Sequence, residues 1–329
     1  MQLQQLAYFV AVAEVRHFTQ AAELLRVAQP SLSKQIRALE NELNVSLFSR
    51  ARGNITLTPA GEALLPLAKR ILADVDTARL EVQELVGLKR GRVRLGATPS
   101  LCAGLLADVL RLFHDTYPGI QLIVEEGGSR DLVRELTRGS LDMALVILPL
   151  HGDPPLDTTP ILREYLVVAS PAGAEPGAPR TAQLPRRSYL RIEDLQNRPL
   201  VMFRPGYDLR EATISACRAA GFEPRFAVEG GEMDAVLRFV EVGLGIAVVP
   251  SMVLAGRPGL RGTPLVLADE EARRGRHGPG LLRTIALAHR KDVELTHAAR
   301  AFQETLQTFL VEAAQAGTLP AGVETLVSA

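Results

Sequence analysis

Leu64, Ala68, Ile71, Val75, Ala78, Val82 and Leu85 follow one another at alternating four- and three-residue steps. That spacing puts all seven side chains on one face of a single long helix. An apolar seam sustained for so long needs a partner, and the spacing predicts helix pairing between subunits. Packing on the helix's own domain is the alternative. Thr58 can cap the helix, Pro59 suits its first position, and Pro66 is expected to bend its first turns. The helix splits the chain into a helical head and a body of alternating strands and helices.

In the head, Leu3, Leu6, Phe9, Val10 and Ala13 mark a first amphipathic helix. Thr19 is expected to cap a second, short helix, QAAELLR. Only Val27 and Ala28 then precede RVAQPSLSKQIRALENEL's helical part, where Pro30 is tolerated in the first turn. Leu32, Ile36, Leu39 and Leu43 make its buried stripe, while Ser31, Ser33, Lys34, Arg37 and Asn41 lie on the other side. A short helix, a tight turn and a longer helix form a helix-turn-helix pattern. Gly53 and Asn54 signal a turn before the alternating Ile55 and Leu57, which predicts a two-stranded wing carrying Arg50 and Arg52.

Acidic and basic residues balance at 37 each in 329 residues. That balance argues against a basic field across a whole domain, so nucleic acid is expected to be met by a local patch. Residues 1–58 hold six basic side chains against four acidic ones. No secretory signal is expected, since no basic segment precedes the apolar residues of MQLQQLAYFVAVAEV, and no run of about 18 apolar residues would span a membrane. Two cysteines, Cys102 and Cys217, suit a reducing compartment. A soluble cytoplasmic protein is expected.

From Arg92 onward strands and helices alternate, which reads as a parallel α/β pattern. RVRLGA, IQLIVEE, DMALVIL, EYLVVAS, PLVMF, RFAVE, GIAVVP, LVLA and TIALAHR read as strands. ELTHAARAFQETLQTFL closes the body as a helix, and residues 313–329 read as a flexible tail. Two Pro-, Gly- or Arg-rich stretches, 171–187 and 270–280, look like loop insertions.

AAELL, QPSLSKQIRALENEL, LFSR and LTPAG stand in order and at the spacing of one family. The chain resembles the LysR-type transcriptional regulators over roughly residues 1 to 312, and GLGIAVVP and AFQETL extend the likeness into the body. The resemblance implies an α+β multidomain fold. A winged helix-turn-helix would occupy 1–58 and a linker and dimerisation helix 59–90. A two-lobed α/β effector domain like a periplasmic binding protein would occupy 91–312. Lobe I would comprise about 91–161 and 267–312, and lobe II about 162–266, with the chain crossing near Pro160–Arg163 and Thr263–Leu267.

The resemblance also implies the sites. Gln29, Pro30, Ser31, Ser33, Lys34 and Arg37 match the positions that face double-stranded promoter DNA. A helix of this width fits the major groove, where Gln29 could pair with adenine, Pro30 could touch a thymine methyl, and Lys34 and Arg37 could bind guanine or phosphate. Arg50 and Arg52 on the wing suit the backbone or minor groove. Ala28 departs from the family, which usually has serine or threonine there. Strand ends in α/β sheets favour ligands. Thr98, Pro99, Ser100, Gly128, Ser129, Ile147, Phe203, Arg204 and Tyr207 are accordingly expected around a small-molecule effector, most simply a carboxylate, with Arg204 as its counter-ion. No catalytic residue, metal or cofactor is expected. The resemblance implies a homodimer through the linker helix that assembles into a homotetramer, with RNA polymerase as a further partner and no membrane.

Three other readings compete. An enzyme would need a motif the chain lacks: its six histidines have no metal spacing, and no G-x-S-x-G or P-loop is present. A periplasmic solute-binding protein would fit the body but not the head. A thiol redox sensor would need reactive cysteines, whereas Cys102 and Cys217 fall in separate lobes on ordinary helices.

Overall fold

The computed structural model describes residues 1–49, 55–84, 91–173, 184, 187–266 and 281–327. Three helices build the head: α1 (Leu3–Val15), α2 (Phe18–Leu24) and α3 (Gln29–Leu43). Leu6, Phe9, Val12, Leu32, Ile36 and Leu39 are fully buried between them. The α3 stripe ends at Leu39, because Leu43 lies at the last turn and is exposed. The cap of α2 also differs from expectation. Thr19 is already inside the helix, and His17 Nδ1 accepts from Gln20 N–H at 3.4 Å. A ring nitrogen thus does the work of the hydroxyl that sequence rules favour. At α3 the cap residue is Ala28, which offers no side-chain bond.

The wing strands β1 (Phe48–Ser49) and β2 (Thr56–Leu57) pair antiparallel. Arg50 and Arg52 lie outside the described residues. Helix α4 (Pro59–Glu84) runs unbroken through Pro66. Thr58 Oγ1 accepts from Gly61 N–H at 3.1 Å, as the cap requires. Gly61 has a steric reason to be glycine: a Cβ there would lie 2.2 Å from the Leu47 carbonyl oxygen.

The seam divides into two parts. Leu64, Ala68 and Ile71 pack on the chain's own head core, which is the alternative outcome for that half. Beyond them Ala78 and Val82 are exposed, and Leu67, off the seam, is exposed too. Leu85 lies outside the described residues.

The body holds β3 (Gly91–Ala97), α5 (Pro99–Leu101), a π turn (Cys102–Leu106), α6 (Ala107–Thr116), β4 (Ile120–Glu126), α7 (Ser129–Thr137) and β5 (Met143–Leu148). There follow β6 (Leu156–Pro171), β7 (Leu190–Arg191), β8 (Pro199–Met202), α8 (Asp208–Ala219), β9 (Arg225–Glu229), α9 (Met233–Glu241) and β10 (Ala247–Pro250). The chain then forms β11 (Leu260–Val266), β12 (Leu282–Arg290), α10 (His297–Ala316) and β13 (Val323–Thr325).

The sheet is mixed. β3 runs parallel to β4 and β5, and β8 parallel to β9. β12, β10, β11 and β13 all run antiparallel to β6. The parallel expectation therefore holds only locally. The cause is β6, whose 16 residues pass through both lobes. Its first half pairs with β12 up to Tyr165, and from Leu166 it pairs with β10 and β11. The first crossing thus falls a few residues later than Pro160–Arg163. The second lies between β11 and β12, partly outside the described residues. Each lobe has its own apolar core, around Phe113 and Phe302 in lobe I and around Phe203 and Val236 in lobe II.

The tail is ordered, contrary to its reading as a flexible end from residue 313. Helix α10 continues to Ala316 and closes on Gly317 in the left-handed conformation. β13 then pairs with β6, and Val323 is buried against the lobe I core. The loop 270–280 and most of 171–187 lie outside the described residues.

The linker helix docks on lobe I through charge. Arg290 Nη1 bonds Asp74 Oδ1 at 2.8 Å, Arg70 pairs with Asp292, and Arg92 with Asp76 at 3.6 Å. The Arg290 guanidinium, donating to Asp292, holds that carboxyl down at about 2.

Candidate nucleic-acid interface and ligand cleft

On α3 the stripe at Leu32, Ile36 and Leu39 fixes the helix against the head core, and the opposite face stands free. Gln29, Pro30, Ser33, Lys34, Arg37, Ala38 and Asn41 line one open concavity on that face. Ser31 is exposed at the same end. Gln29 Nε2 donates to Ser33 Oγ at 2.9 Å. Lys34 and Arg37 are exposed and make no ion pair with a described residue. Two uncompensated cations on a helix face of groove-compatible width can neutralise phosphates or reach guanine. Ala38 and Asn41 were missing from the expected set, although the period that places Lys34 and Arg37 outward places these two beside them.

The second site lies where the lobes meet. Thr98, Pro99, Ser100, Gly128, Ile147 and Leu148 come from the carboxyl ends of lobe I strands. Tyr207, Asp208, Leu209 and Ala212 come from the start of α8, and Leu166, Leu281, Leu282 and Arg283 from the crossing strands and their approach. They enclose a cavity of about 150 Å³. Thr98 Oγ1 and Ser100 Oγ are 3.3 Å apart. Between the lobes, Ser129 N–H of lobe I donates to Asp208 Oδ2 of lobe II at 3.3 Å.

Six of the nine expected ligand residues line this cavity: Thr98, Pro99, Ser100, Gly128, Ile147 and Tyr207. Ser129 stands just behind, its hydroxyl accepting from Ile147 N–H at 3.1 Å. Phe203 is buried one layer deeper and stacks on Tyr207, with centroids 4.6 Å apart and planes 7° from parallel. Arg204 is a correction. It is half exposed, pairs with Glu232 and does not line the cavity. A loop arginine beside a surface glutamate satisfies itself locally, so the counter-ion role has no geometric basis.

The arginine in the wall is Arg283, 7% exposed. Its Nε and Nη2 bond Glu164 Oε2 at 2.9 and 2.7 Å, and Nη2 also bonds Ser100 Oγ at 3.0 Å. Glu164 is wholly buried, and its other oxygen accepts from Met252 N–H at 2.7 Å. Sequence reasoning passed over this pair. The available signal was two opposite charges set in otherwise apolar strands, in REYLVVAS and LLRTIALAHR.

Two family models match the chain: "Bacterial regulatory helix-turn-helix protein, lysR family" over residues 3–62 and "LysR substrate binding domain" over residues 87–310. The chain belongs to the LysR family of transcriptional regulators. Among curated relatives, the transcriptional dual regulator GltC of Bacillus subtilis is 31% identical over 309 residues, 94% of this chain and 97% of that protein. A probable hydrogen peroxide-inducible genes activator of Streptomyces viridosporus is 35% identical, covering 75% of this chain and 77% of its own. Among solved structures, a full-length OxyR variant from Pseudomonas aeruginosa superposes with a TM-score of 0.69 at 25% identity, covering 93% of this chain and 95% of that one. CbnR complexed with its target DNA superposes at 0.66 and 25% identity, covering 94% and 99%. This LysR-family regulator therefore has a DNA-binding head and an effector-binding body. Among the described residues no helix is long and apolar enough to cross a membrane, and no cluster of His, Cys, Asp or Glu could hold a metal ion.

One of these relatives is named for hydrogen peroxide, and the thiols here bear on that. Cys102 lies in the π turn of lobe I and Cys217 in α8 of lobe II. Burial, with Glu126 nearby, pushes the Cys102 thiol up to about 11, and burial, with Glu223 nearby, does the same to Cys217. Peroxide reacts with thiolate, which such thiols scarcely form at neutral pH. Brief mild peroxide is expected to leave both cysteines as free thiols by mass spectrometry and DNA affinity unchanged. A sulfenic acid or disulfide on either would refute this.

Proposed function

We propose that this regulator reads a specific promoter sequence with the outward face of α3 and that a small organic effector between the lobes controls that binding. The observation that carries the first half is the pair Lys34 and Arg37, exposed and without acidic partners among the described residues, beside Gln29, Pro30, Ser31 and Ser33. Arg50 and Arg52, read from the sequence alone, would add backbone or minor-groove contacts. The small basic surplus of the head gives weak nonspecific attraction, so affinity comes from two heads held together. The outer half of α4, with Ala78 and Val82 of the seam exposed, supports pairing of subunits there. A two-fold dimer reads an interrupted palindrome, and a dimer of dimers bends the promoter. RNA polymerase is the partner that such a complex would meet, in the cytoplasm.

The effector half rests on the interlobe cavity. An effector carboxylate is received by the hydroxyls of Thr98 and Ser100 and by the backbone near Gly128, in place of the Arg204 pairing. A ligand that touches both lobes favours one lobe arrangement over the other. The docked linker helix passes that change to the spacing of the heads.

Fluorescence anisotropy on the DNA upstream of the gene tests this reading. Native DNA is expected to bind more tightly than scrambled DNA at near-physiological salt. Arg37→Ala is expected to weaken that binding by about 1–3 kcal/mol. Equal, weak binding to both DNAs with no effect of the substitution would sink it.

A further inference from the structure

We propose that the interlobe cavity is built for a zwitterion of the amino-acid type with an apolar side chain. The proposal rests on the reading of this cavity as the effector site and names the chemistry of its ligand.

The charges decide first. Among the described residues, Arg283 and Asp208 are the charged side chains that line the cavity. Arg283 is already neutralised, because Glu164 takes both its Nε and its Nη2. Asp208 is not. Its partner is a single backbone N–H, that of Ser129, at 3.3 Å. The cavity thus presents one carboxylate without a cation. A simple organic anion placed beside it meets a like charge in a poorly screened space, whereas a protonated amine meets its complement.

The hydrogen-bonding groups decide next. Tyr207 is 6% exposed, and its hydroxyl is buried with no hydrogen-bond partner. An orphaned buried donor in a cavity wall calls for an acceptor. The stack on Phe203 fixes the ring, so the hydroxyl cannot swing away to water. The Thr98 and Ser100 hydroxyls bond each other and leave one further donor between them, with the Arg283 guanidinium behind Ser100. A carboxylate is the acceptor that uses all of them.

The remaining wall is apolar: Ile147, Leu148, Leu166, Leu209, Leu281 and Leu282. The cavity as a whole, polar end included, is about 150 Å³, the size that takes up benzene when closed. One ammonium, one carboxylate and one small apolar body sharing that space describe an amino acid of about the size of leucine, with phenylalanine at the upper limit, better than any simple acid or amine.

The test uses full-length protein, calorimetric titration and two sets of probes. One set is phenylalanine, its deaminated acid hydrocinnamate and its decarboxylated amine phenethylamine. The other is leucine, isocaproate and isoamylamine. In at least one set the amino acid is expected to bind about tenfold or more tightly than both its relatives. Asp208→Asn removes the charge but keeps an acceptor for Ser129 N–H. It is expected to abolish the preference for the amino acid over the acid. Tyr207→Phe keeps the stack on Phe203 and is expected to weaken amino acid and acid alike, but not amine.

An acid that binds as tightly as its amino acid, a preference that survives Asp208→Asn, or six probes that all fail to bind would each overturn the proposal. The regulator reading is scored separately, by anisotropy on native against scrambled DNA with the same preparations. Its failure appears as lost DNA preference and not as a change in ligand rank.

Discussion

Glu164→Ala is expected to cost the effector domain about 3–5 kcal/mol, the usual penalty for stranding a buried charge. Glu164 is 0% exposed and Arg283 7%, so water cannot replace the lost partner. The carboxylate also accepts Met252 N–H, and that backbone group would be orphaned as well. The pair joins β6 to β12 next to the change of partners at Leu166, where the two lobes meet. A double variant, Glu164→Leu with Arg283→Met, removes both charges and refills most of the space. It is expected to recover most of the loss, since replacing a buried pair by apolar groups is commonly neutral or better. Urea unfolding followed by circular dichroism measures both. A loss under about 1 kcal/mol in the single variant would show that Arg283 reaches solvent and that the pair is no structural pin.

How much of this was legible in the sequence differs between the two sites, and for a physical reason. The DNA-reading face is local. The three- and four-residue spacing of Leu32, Ile36 and Leu39 sets the phase of α3, and Lys34 and Arg37 then fall outward whatever the rest of the chain does. The strands of the body were legible for the same reason, as short apolar runs. Their directions were not, because β6 spans both lobes and receives its antiparallel partners from far downstream, β10 and β11 for one half and β12 and β13 for the other. The cavity depends on those pairings. Arg283 meets Glu164 across 119 positions of sequence, and Asp208 meets Ser129 across 79. No local pattern encodes either meeting. Arg204 misled for a related cause: its loop position suggested a ligand, whereas Glu232, 28 residues on, already satisfies it.

Removal of residues 318–329 is expected to cost about 3 kcal/mol and to make the protein prone to association. The matched domain model ends at residue 310, and β13 lies beyond it. Val323 is buried, and Leu319 and Val327 pack half-buried on the lobe I core. Each apolar side chain of this size contributes about 1.5–3 kcal/mol when fully buried, and partial burial of two of them brings the sum near the value given. The backbone matters as much. Tyr165 N–H donates to the Gly322 carbonyl at 2.9 Å and Leu326 N–H to the Ile161 carbonyl at 2.8 Å, so the tail covers β6 through the hinge. Without it that stretch becomes a bare edge, open to pairing with another chain. Calorimetry should show a lower unfolding temperature, and light scattering should show concentration-dependent association. A truncated protein that melts with the intact one would mean that β13 merely rests on the hinge. A protein that loses stability but stays dispersed would mean that α10, which remains, shields the edge well enough alone.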